Sequence, residues 1–336
     1  MDFPFQIETH GLLLIAAAAF IVTFLITPFV IKRFKARGIV GKDINKLGKP
    51  EVAEMGGITV LLGFSFAIMF SIFLFSYLGF FKQLNLTALL AGFITIVLIG
   101  ILGIVDDLIG WRKGLRQWQH ALIPLFAALP LMALNVGSDY IVLPFVGAMA
   151  VGIFYSLLIV PLGVTSAANA TNMLAGMNGL EAGLGIINTL IILIIAVTRF
   201  EVEAAIIMVA MLGALIAFMR FNWFPAKIFP GDSLTLMVGA GIASAVIIGD
   251  MERIGIALFA IYFIELAFKA KHKFQSQCFG IPQNDGTLKA DPKGGSLTHW
   301  IMRRGRFTEK QVVGVILLAQ VLIAFLVYVL FRSKRF

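Results

Sequence analysis

The chain has 336 residues, of which 60% are hydrophobic and 13% are charged, and its mean hydropathy is +0.96. This composition excludes an ordinary soluble domain, which is about half apolar and about a quarter charged, and indicates a polytopic membrane protein. The single cysteine, Cys278, excludes an internal disulfide and a cysteine-based metal cluster. A net charge of +9 is better explained by anionic lipid head groups and phosphorylated substrates than by nucleic acid.

Ten segments are long and apolar enough to cross a membrane, since a spanning helix needs about 20 apolar residues. In chain order they lie at about 10–31, 57–81, 86–105, 118–134, 142–166, 179–198, 203–219, 233–249, 253–270 and 311–331. No stretch resembles a separate soluble domain. We therefore predict an all-α integral membrane protein, with ten transmembrane helices in a single domain over residues 1–336.

Basic residues are distributed unevenly between alternate loops, and this asymmetry predicts the orientation of the chain. Of the 27 Lys and Arg residues, 21 belong to one set of loops when Lys269 is counted with the last of them. These loops lie at about 32–56, 106–117, 167–178, 220–232 and 271–310. We expect this side to be cytoplasmic and both termini to lie on the other side, although the basic C-terminal tail goes against the rule. The polar clusters described below all fall on the same side, which predicts a multi-pass cell-membrane protein with a cytoplasm-facing site.

Two neighbouring carboxylates, Asp106 and Asp107, stand where the third predicted helix ends. Adjacent carboxylates in a partly dry site cannot both ionise cheaply unless a cation neutralises them. Mg²⁺ would do this, as would the basic residues that follow, Arg112, Lys113 and Arg116. Ordinary ion pairs in a solvated loop are the alternative interpretation.

The segment 169–181 combines three asparagines with small residues. Asn169, Asn172 and Asn178 offer amide oxygens suited to Mg²⁺ and amide nitrogens that can bind a base or a sugar. Gly176 lets the backbone approach a ligand closely, and Glu181 opens the next predicted helix. Helix capping and close helix packing are the alternative, but three asparagines in so short a segment exceed what capping needs.

Asp232 follows Phe229 by three residues and immediately precedes the eighth predicted helix. It could be an ordinary helix N-cap, or it could ligate a cation that bridges to a diphosphate while Phe229 stacks on a base. Lys42, Lys46 and Lys49 in the first long loop could bind phosphate or, equally, lipid head groups.

Taken together, these runs resemble the polyprenyl-phosphate N-acetylhexosamine-1-phosphate transferases over roughly residues 40–300. The similarity is strongest to the eukaryotic and archaeal branch, the UDP-GlcNAc:dolichyl-phosphate GlcNAc-1-phosphate transferases. The residues that carry it are Gly-Lys-Asp43-Ile-Asn45-Lys46 with Glu54, Asn169-Ala-Thr-Asn172-Met-Leu-Ala-Gly176-Met-Asn178-Gly-Leu-Glu181, and Asn222-Trp-Phe-Pro-Ala-Lys-Ile-Phe229-Pro-Gly-Asp232. The last predicted cytoplasmic loop contains neither the His motif of bacterial members nor the Arg-His-Arg run of the eukaryotic enzyme.

The resemblance implies roles for individual residues. Two of them, Asn172 and Asp232, would ligate Mg²⁺, for which Mn²⁺ could substitute. The uridine would be held by Glu54, Gly176, Asn178 and Phe229, the last stacked on uracil. The acceptor phosphate would be served by Asp106, Asp107 and Lys113, and the sugar would lie near Trp111. The predicted substrate-binding set is completed by Lys46, Asn169, Glu181 and Asn222.

The implied reaction transfers GlcNAc-1-phosphate from UDP-GlcNAc to a membrane polyprenyl phosphate, which gives polyprenyl-diphosphate-GlcNAc and UMP. This would be the first step of lipid-linked oligosaccharide synthesis, for N-glycans or for cell-wall and S-layer glycans. The expected partners are a UDP-N-acetylhexosamine, a polyprenyl phosphate and membrane lipids, but not nucleic acid. Another UDP-N-acetylhexosamine as donor and a homodimeric enzyme are left open.

Two other classes of membrane protein fit the composition. A membrane prenyltransferase also handles a diphosphate with Mg²⁺, but it would need two Asp-x-x-x-Asp motifs, which the sequence lacks. A transporter or lipid flippase would carry ionisable groups near the bilayer midplane and paired broken helices. Only Glu265 suits the midplane, and we expect it to form an i,i+4 ion pair with Lys269.

Overall fold

A computed structural model describes residues 7–110, 122, 124–134, 140–143 and 147–333 of the chain. Twelve α-helices are formed within these residues: α1 Thr9–Ala36, α2 Gly57–Leu78, α3 Leu86–Gly110, α4 Leu129–Ala133, α5 Val160–Met173, α6 Leu180–Arg199, α7 Val202–Asn222, α8 Asp232–Ile248, α9 Glu252–Leu258, α10 Ala260–Lys271, α11 Leu297–Met302 and α12 Glu309–Arg332. Three short antiparallel hairpins join them: β1 Val40–Lys42 with β2 Glu51–Ala53, β3 Tyr140–Leu143 with β4 Gly147–Ala150, and β5 Ile281–Pro282 with β6 Leu288–Lys289.

Six of the described helices are long and apolar enough to cross a membrane, namely α1, α2, α3, α6, α7 and α12. The apolar helix α8 is shorter, with 17 residues. The prediction of a helical membrane protein is therefore confirmed. The count of ten spans and the orientation of the termini stay predictions.

Helix α7 forms the centre of the bundle, where it packs against α1, α2, α6 and α8. In the most apolar 18-residue stretch of α7, 83% of the stretch is buried inside the protein, whereas the figure for the peripheral helix α1 is 28%. Close packing at this centre depends on Gly213, because a Cβ there would lie 2.4 Å from the carbonyl oxygen of Ala16. The outward faces of α1 and α12 keep exposed Leu, Ile, Val and Phe side chains, which suits a surface in contact with lipid.

The predicted span 142–166 is wrong at its N-terminal end. Residues Tyr140–Leu143 and Gly147–Ala150 pair as a hairpin, and a π-helical turn at Tyr155–Ile159 then leads into α5. The β-branched pair Ile141-Val142 favours a strand, and Gly152, with φ +51°, stops a helix from starting earlier.

Other boundaries also differ from the prediction. The span 253–270 is broken at Phe259 into α9 and α10. The predicted loops at 106–117 and 167–178 begin too early, because α3 continues to Gly110 and α5 to Met173. Asp106, Asp107, Asn169 and Asn172 therefore lie on the last turns of helices. Of the predicted span 118–134, the structure describes residues 122 and 124–134, which include α4.

Candidate active site

Helix α3 supplies the cap for the N-terminus of α8. The Oδ1 atom of Asp107 accepts a hydrogen bond from the Asp232 amide at 2.7 Å, and Oδ2 accepts one from the Ser233 amide at 3.1 Å. Two glycines allow this approach: a Cβ at Gly231 would lie 2.5 Å from Asp107 Oδ2, and one at Gly103 would lie 2.6 Å from the Asp232 carbonyl oxygen. Gly231 occupies the N-cap position, so the interpretation of Asp232 as the N-cap is wrong.

A cavity of about 400 Å³, called the polar cavity below, opens where α5, α6 and α8 begin or end. It is lined by eight of the residues predicted for the site: Glu54, Asn172, Gly176, Asn178, Glu181, Asn222, Phe229 and Asp232. The first long loop adds four residues to the wall: Lys42, Asp43, Ile44 and Asn45. The cavity therefore brings together sequence segments that are up to 237 residues apart, from Lys42 to Phe279.

The turn between α5 and α6 is held in an unusual backbone conformation. Gly176 has φ +117°, and its amide donates to Glu181 Oε1 at 2.6 Å. A Cβ at Gly176 would lie 2.6 Å from the ring of Phe279, which belongs to the last loop and also lines the polar cavity. Only glycine combines this φ with this contact, so the last loop packs directly on the turn.

A buried polar network fixes the loop that contains residues 43–46. Glu309 Oε1 accepts from the Asn178 amide at 2.9 Å, and Glu309 Oε2 accepts from Lys46 Nζ at 3.2 Å. Asn178 Nδ2 donates to Asp43 Oδ2 at 3.1 Å, and Lys46 also pairs with Asp43. Asn45 donates to the Gly176 carbonyl at 2.9 Å. These groups join the first loop, the α5–α6 turn and the start of α12.

The last loop is anchored through Glu265, which is fully buried. Its Oε1 atom lies 3.6 Å from Lys269 Nζ, which confirms the predicted ion pair. Its Oε2 atom accepts from the Leu297 amide at 2.7 Å and from Ser296 Oγ at 3.0 Å. Glu265 therefore connects α10 to the segment that carries Phe279.

The segment before α8 continues the first hairpin. The Phe229 amide donates to the Ala53 carbonyl at 2.7 Å, and the Gly56 amide donates to the Phe229 carbonyl at 2.8 Å. Asn222 Nδ2 donates to the Ile228 carbonyl at 3.0 Å, which closes the turn after α7. These bonds present the Phe229 ring to the polar cavity.

The polar cavity suits a divalent cation. Burial, and then the charge of Asp107, raise the pKa of the Glu54 carboxyl above its ordinary value. Asn172 Oδ1 accepts from Thr235 Oγ1 at 3.0 Å, which orients the amide beside Asp232 on the cavity wall. Among the described residues, three or more His, Cys, Asp or Glu side chains nowhere gather at metal-binding distance. Mg²⁺ needs no such cluster, since one or two carboxylates plus substrate phosphates hold it, and the donors present fit that pattern.

A second cavity of about 460 Å³, called the apolar cavity below, lies between α5, α8, α9 and α10. Its lining is mostly hydrophobic, with Ile159, Ala243, Val246 and Phe263 among its members, but it also includes the polar side chains of Ser166, Asn169 and Glu252. Both cavities share α5 and α8, whose ends serve the polar cavity and whose flanks serve the apolar one.

Not every predicted site residue lies on the polar cavity. Asn169 lines the apolar cavity, and its Nδ2 atom donates to the Thr165 carbonyl at 2.9 Å. Lys46 belongs to the buried network, and its neighbour Lys42 lines the cavity. The predicted residues Trp111 and Lys113 lie outside the described residues.

The sequence interpretation assigned no role to Glu309 or Phe279. Glu309 begins α12 beside a capping box formed by Thr308 and Gln311, so it has the appearance of an ordinary acidic residue in a first helical turn. Phe279 is one of 31 phenylalanines. The only feature of the sequence that marks Phe279 is its position in the polar last loop, next to Cys278, where an apolar ring is not expected to contact lipid.

Comparison with known proteins gives relatives that extend over nearly the whole chain. A protein of Sulfolobus acidocaldarius named UDP-N-acetylglucosamine–dolichyl-phosphate N-acetylglucosaminephosphotransferase is 38% identical over 328 residues, which cover 95% of this chain and 96% of the relative. A protein of Saccharolobus solfataricus with the same name is 36% identical over 308 residues, which cover 90% of this chain and 91% of the relative.

More distant relatives cover about three quarters of the chain. The phospho-N-acetylmuramoyl-pentapeptide-transferase of Limosilactobacillus reuteri is 30% identical over 258 residues, which cover 74% of this chain and 78% of the relative. The sequence profile of glycosyl transferase family 4 matches residues 89–250, which include Asp107, Asn172 and Asp232. The chain is therefore a member of glycosyl transferase family 4, and the resemblance predicted from its sequence is confirmed.

Proposed function

We propose that the chain transfers GlcNAc-1-phosphate from UDP-GlcNAc to a polyprenyl phosphate of the dolichyl type. The products are polyprenyl-diphosphate-GlcNAc and UMP, and the reaction begins a lipid-linked oligosaccharide. The observation that carries this proposal is that a polar cavity of nucleotide size shares two helices with an apolar cavity. Two relatives named for this activity support it.

The polar cavity holds the nucleotide sugar. The ring of Phe229 stacks on the uracil, and the Asn178 side chain, oriented by Asp43, hydrogen-bonds the base or the ribose. Glu54 provides a further acceptor on the same wall, and Lys42 offsets phosphate charge. The apolar cavity holds the first isoprene units of the acceptor, which enters from the lipid between helices.

Mg²⁺, or Mn²⁺ in its place, is held by the Asp232 carboxylate and the Asn172 amide oxygen. When bound, the cation withdraws negative charge from the diphosphate and so favours attack by an anion. Thr235 keeps the Asn172 oxygen in position, and Asp107 keeps the start of α8 in position.

The chemistry is a direct displacement at phosphorus. An oxygen of the polyprenyl phosphate bonds to the β-phosphorus of UDP-GlcNAc, and the bond from that phosphorus to the bridging oxygen breaks, so UMP leaves. The second pKa of a phosphate ester is about 6, so the nucleophile needs little help from a base. We assign the last proton, or the orientation of the acceptor phosphate, to the carboxylates Asp106 and Asp107 at the end of α3, which Asp107 joins to the start of α8.

The site faces the cytoplasm in this proposal. The loops that form the polar cavity belong to the set that carries 21 of the 27 basic residues. A nucleotide sugar made in the cytosol then reaches the cavity from water.

The test is UMP release by the purified protein. With Mg²⁺, a polyprenyl phosphate and UDP-GlcNAc, we expect UMP and a lipid-linked GlcNAc-diphosphate, and none after chelation of the divalent cation. UDP-GalNAc and UDP-MurNAc-pentapeptide are the competing donors, the latter because of the Limosilactobacillus relative. A preference for either one would identify that nucleotide sugar as the donor in place of UDP-GlcNAc. Absence of UMP release with every donor would refute the proposed function.

A further inference from the structure

The break between α9 and α10 leaves a backbone carbonyl without its helical partner. In a continuous helix the Tyr262 amide would donate to Leu258, but it donates to the Phe259 carbonyl at 2.9 Å. The Phe259 amide still donates back to Gly255 at 3.1 Å. The carbonyl of Leu258 therefore stands at the end of α9, in a fully buried residue. Such a group in the interior of a membrane protein requires another donor.

That donor is the side chain of Gln320 from the middle of α12. Its Nε2 atom donates to the Leu258 carbonyl at 3.0 Å and to Asn188 Oδ1 on α6 at 2.5 Å. Gln320 and Asn188 are both fully buried. The remaining amide atoms of the pair, Gln320 Oε1 and Asn188 Nδ2, have no hydrogen-bond partner among the described residues. Buried polar groups with such incomplete pairing are costly, so their presence calls for a function that apolar residues could not serve.

The break shapes the apolar cavity. Residues from both sides of it line this cavity, with Gly255 and Ile256 on α9, Phe259 at the break, and Tyr262 and Phe263 on α10. A continuous helix through this segment would change the direction of these side chains relative to α5 and α8. The geometry of the cavity therefore depends on the break.

We propose that Gln320 is a positioning residue for the acceptor: by satisfying the Leu258 carbonyl it holds the break between α9 and α10 and keeps the apolar cavity open for the isoprenoid chain. This inference rests on the proposed function, because it assumes that the apolar cavity receives the acceptor. Gln320 does not line either cavity, so it acts only through the break.

The test compares Gln320→Met with Asn188→Met. The first variant keeps the volume of the side chain and removes the donor to Leu258, whereas the second leaves that bond in place. We expect Gln320→Met to raise the KM for polyprenyl phosphate about tenfold, with the KM for UDP-GlcNAc unchanged. Asn188→Met should keep both KM values near those of the wild type, and Gln320→Glu, which keeps an O–H donor when protonated, should restore the acceptor KM.

A distance measurement reads the break directly. Spin labels at Gly163 on α5 and Phe263 on α10, both exposed to the apolar cavity, report its width by electron–electron double resonance. We expect the distance distribution to shift in Gln320→Met and not in Asn188→Met. The native Cys278 is buried, and the protein without added cysteines gives the background.

The outcomes separate the two proposals. An unchanged acceptor KM, an equal effect of the two Met variants, or an unchanged label distance would overturn the role of Gln320. A wild-type protein that releases no UMP would instead overturn the proposed function, and the label distance would still test the break. Should Gln320→Met fail to fold, Gln320→Asn, which is one methylene too short to reach Leu258, replaces it with the same expectations.

Discussion

The polar and apolar cavities are built on the same two helices, yet they are fixed by different means. The polar cavity is defined by hydrogen bonds between loops, most of them buried, that join Asp43, Asn45, Asn178 and Glu309. The apolar cavity is defined by where helices break and pack. Under the proposed function, the water-soluble donor is therefore recognised by a rigid polar frame, whereas the lipid acceptor needs only space of the right shape beside it.

The largest effect on activity should come from substitution of Asp232, the proposed metal ligand in the polar cavity. Asp232→Ala should lower UMP release by at least ~100-fold, because it removes the only carboxylate proposed to bind the divalent cation. The variant keeps the cap of α8, since Asp107 and not Asp232 supplies it. Asp250→Ala, just beyond the other end of α8, is the matched control in the UMP assay. Full activity of Asp232→Ala would contradict the metal assignment.

A smaller effect, confined to the acceptor, should follow from filling the apolar cavity. Gly163 lines it, and a Cβ there would meet nothing within 4 Å, so Gly163→Phe projects a ring into the space without a backbone clash. We expect the KM for polyprenyl phosphate to rise about tenfold and the KM for UDP-GlcNAc to stay constant. Gly314→Phe on the outer face of α12, where a Cβ is equally unhindered, is the control. A change in the nucleotide KM would show that the two cavities are not separable.

Substitution in the buried network around Glu309 should have the opposite pattern, with a change in the KM for the nucleotide donor and none in the KM for the acceptor. Glu309→Gln removes the negative charge that pairs with Lys46. It also places an amide N–H₂ group next to Lys46 Nζ or next to the Asn178 amide, so that two donors face each other. The KM for UDP-GlcNAc should rise about fivefold, with the acceptor KM unchanged. Lys310→Gln changes a charge at the adjacent, exposed position and should do neither. Equal rises in both KM values for Glu309→Gln would mean that the network supports the fold as a whole.

The smallest effect concerns the last loop and appears as a pH dependence of stability. Burial lowers the pKa of His299 below its ordinary value of 6.5, and Nε2 donates to the Phe279 carbonyl at 2.8 Å. As the pH falls below 6.5, His299 takes up a proton more readily in the unfolded chain than in the folded one. The free energy of unfolding therefore decreases on acidification, and this contribution of His299 to stability is fully present only above pH 6.5. Thermal unfolding in detergent between pH 5 and 7.5 should show this loss, and His299→Gln should reduce its slope. An unchanged slope in His299→Gln would assign the pH dependence to other groups.

The polar cavity was largely predictable from sequence because polar residues stand out in an apolar chain. Asn172, Asn178 and Asp232 were identified as separate clusters, and each lines the same cavity. Glu309 was missed because an acidic residue in a first helical turn is ordinary, and only a contact 131 residues away in sequence gives it another role. Asn169 and Asn172 sit three residues apart, yet the helical path of α5 sends them to different cavities.

The apolar cavity could not be predicted, because the apolar residues that form most of its lining are also those expected on a lipid-facing surface. The break at Phe259 has no proline, and Gly255 lies a full turn before it, so the segment has the pattern of one continuous span. The hairpin of β3 and β4 was missed for a related reason, since hydropathy alone does not separate a short apolar strand from a helix.

The cap that Asp107 provides has a further consequence for phosphate recognition. The first four amides of α8 all donate within the protein, those of Asp232 and Ser233 to Asp107 and those of Leu234 and Thr235 to the Gly231 carbonyl. A diphosphate approaching this helix therefore meets a carboxylate instead of open N–H groups, unlike the phosphates that rest on the helix start in P-loop proteins. Nucleotide affinity in this protein should accordingly come from metal ions and basic side chains. It should weaken as ionic strength rises, because salt screens these charges.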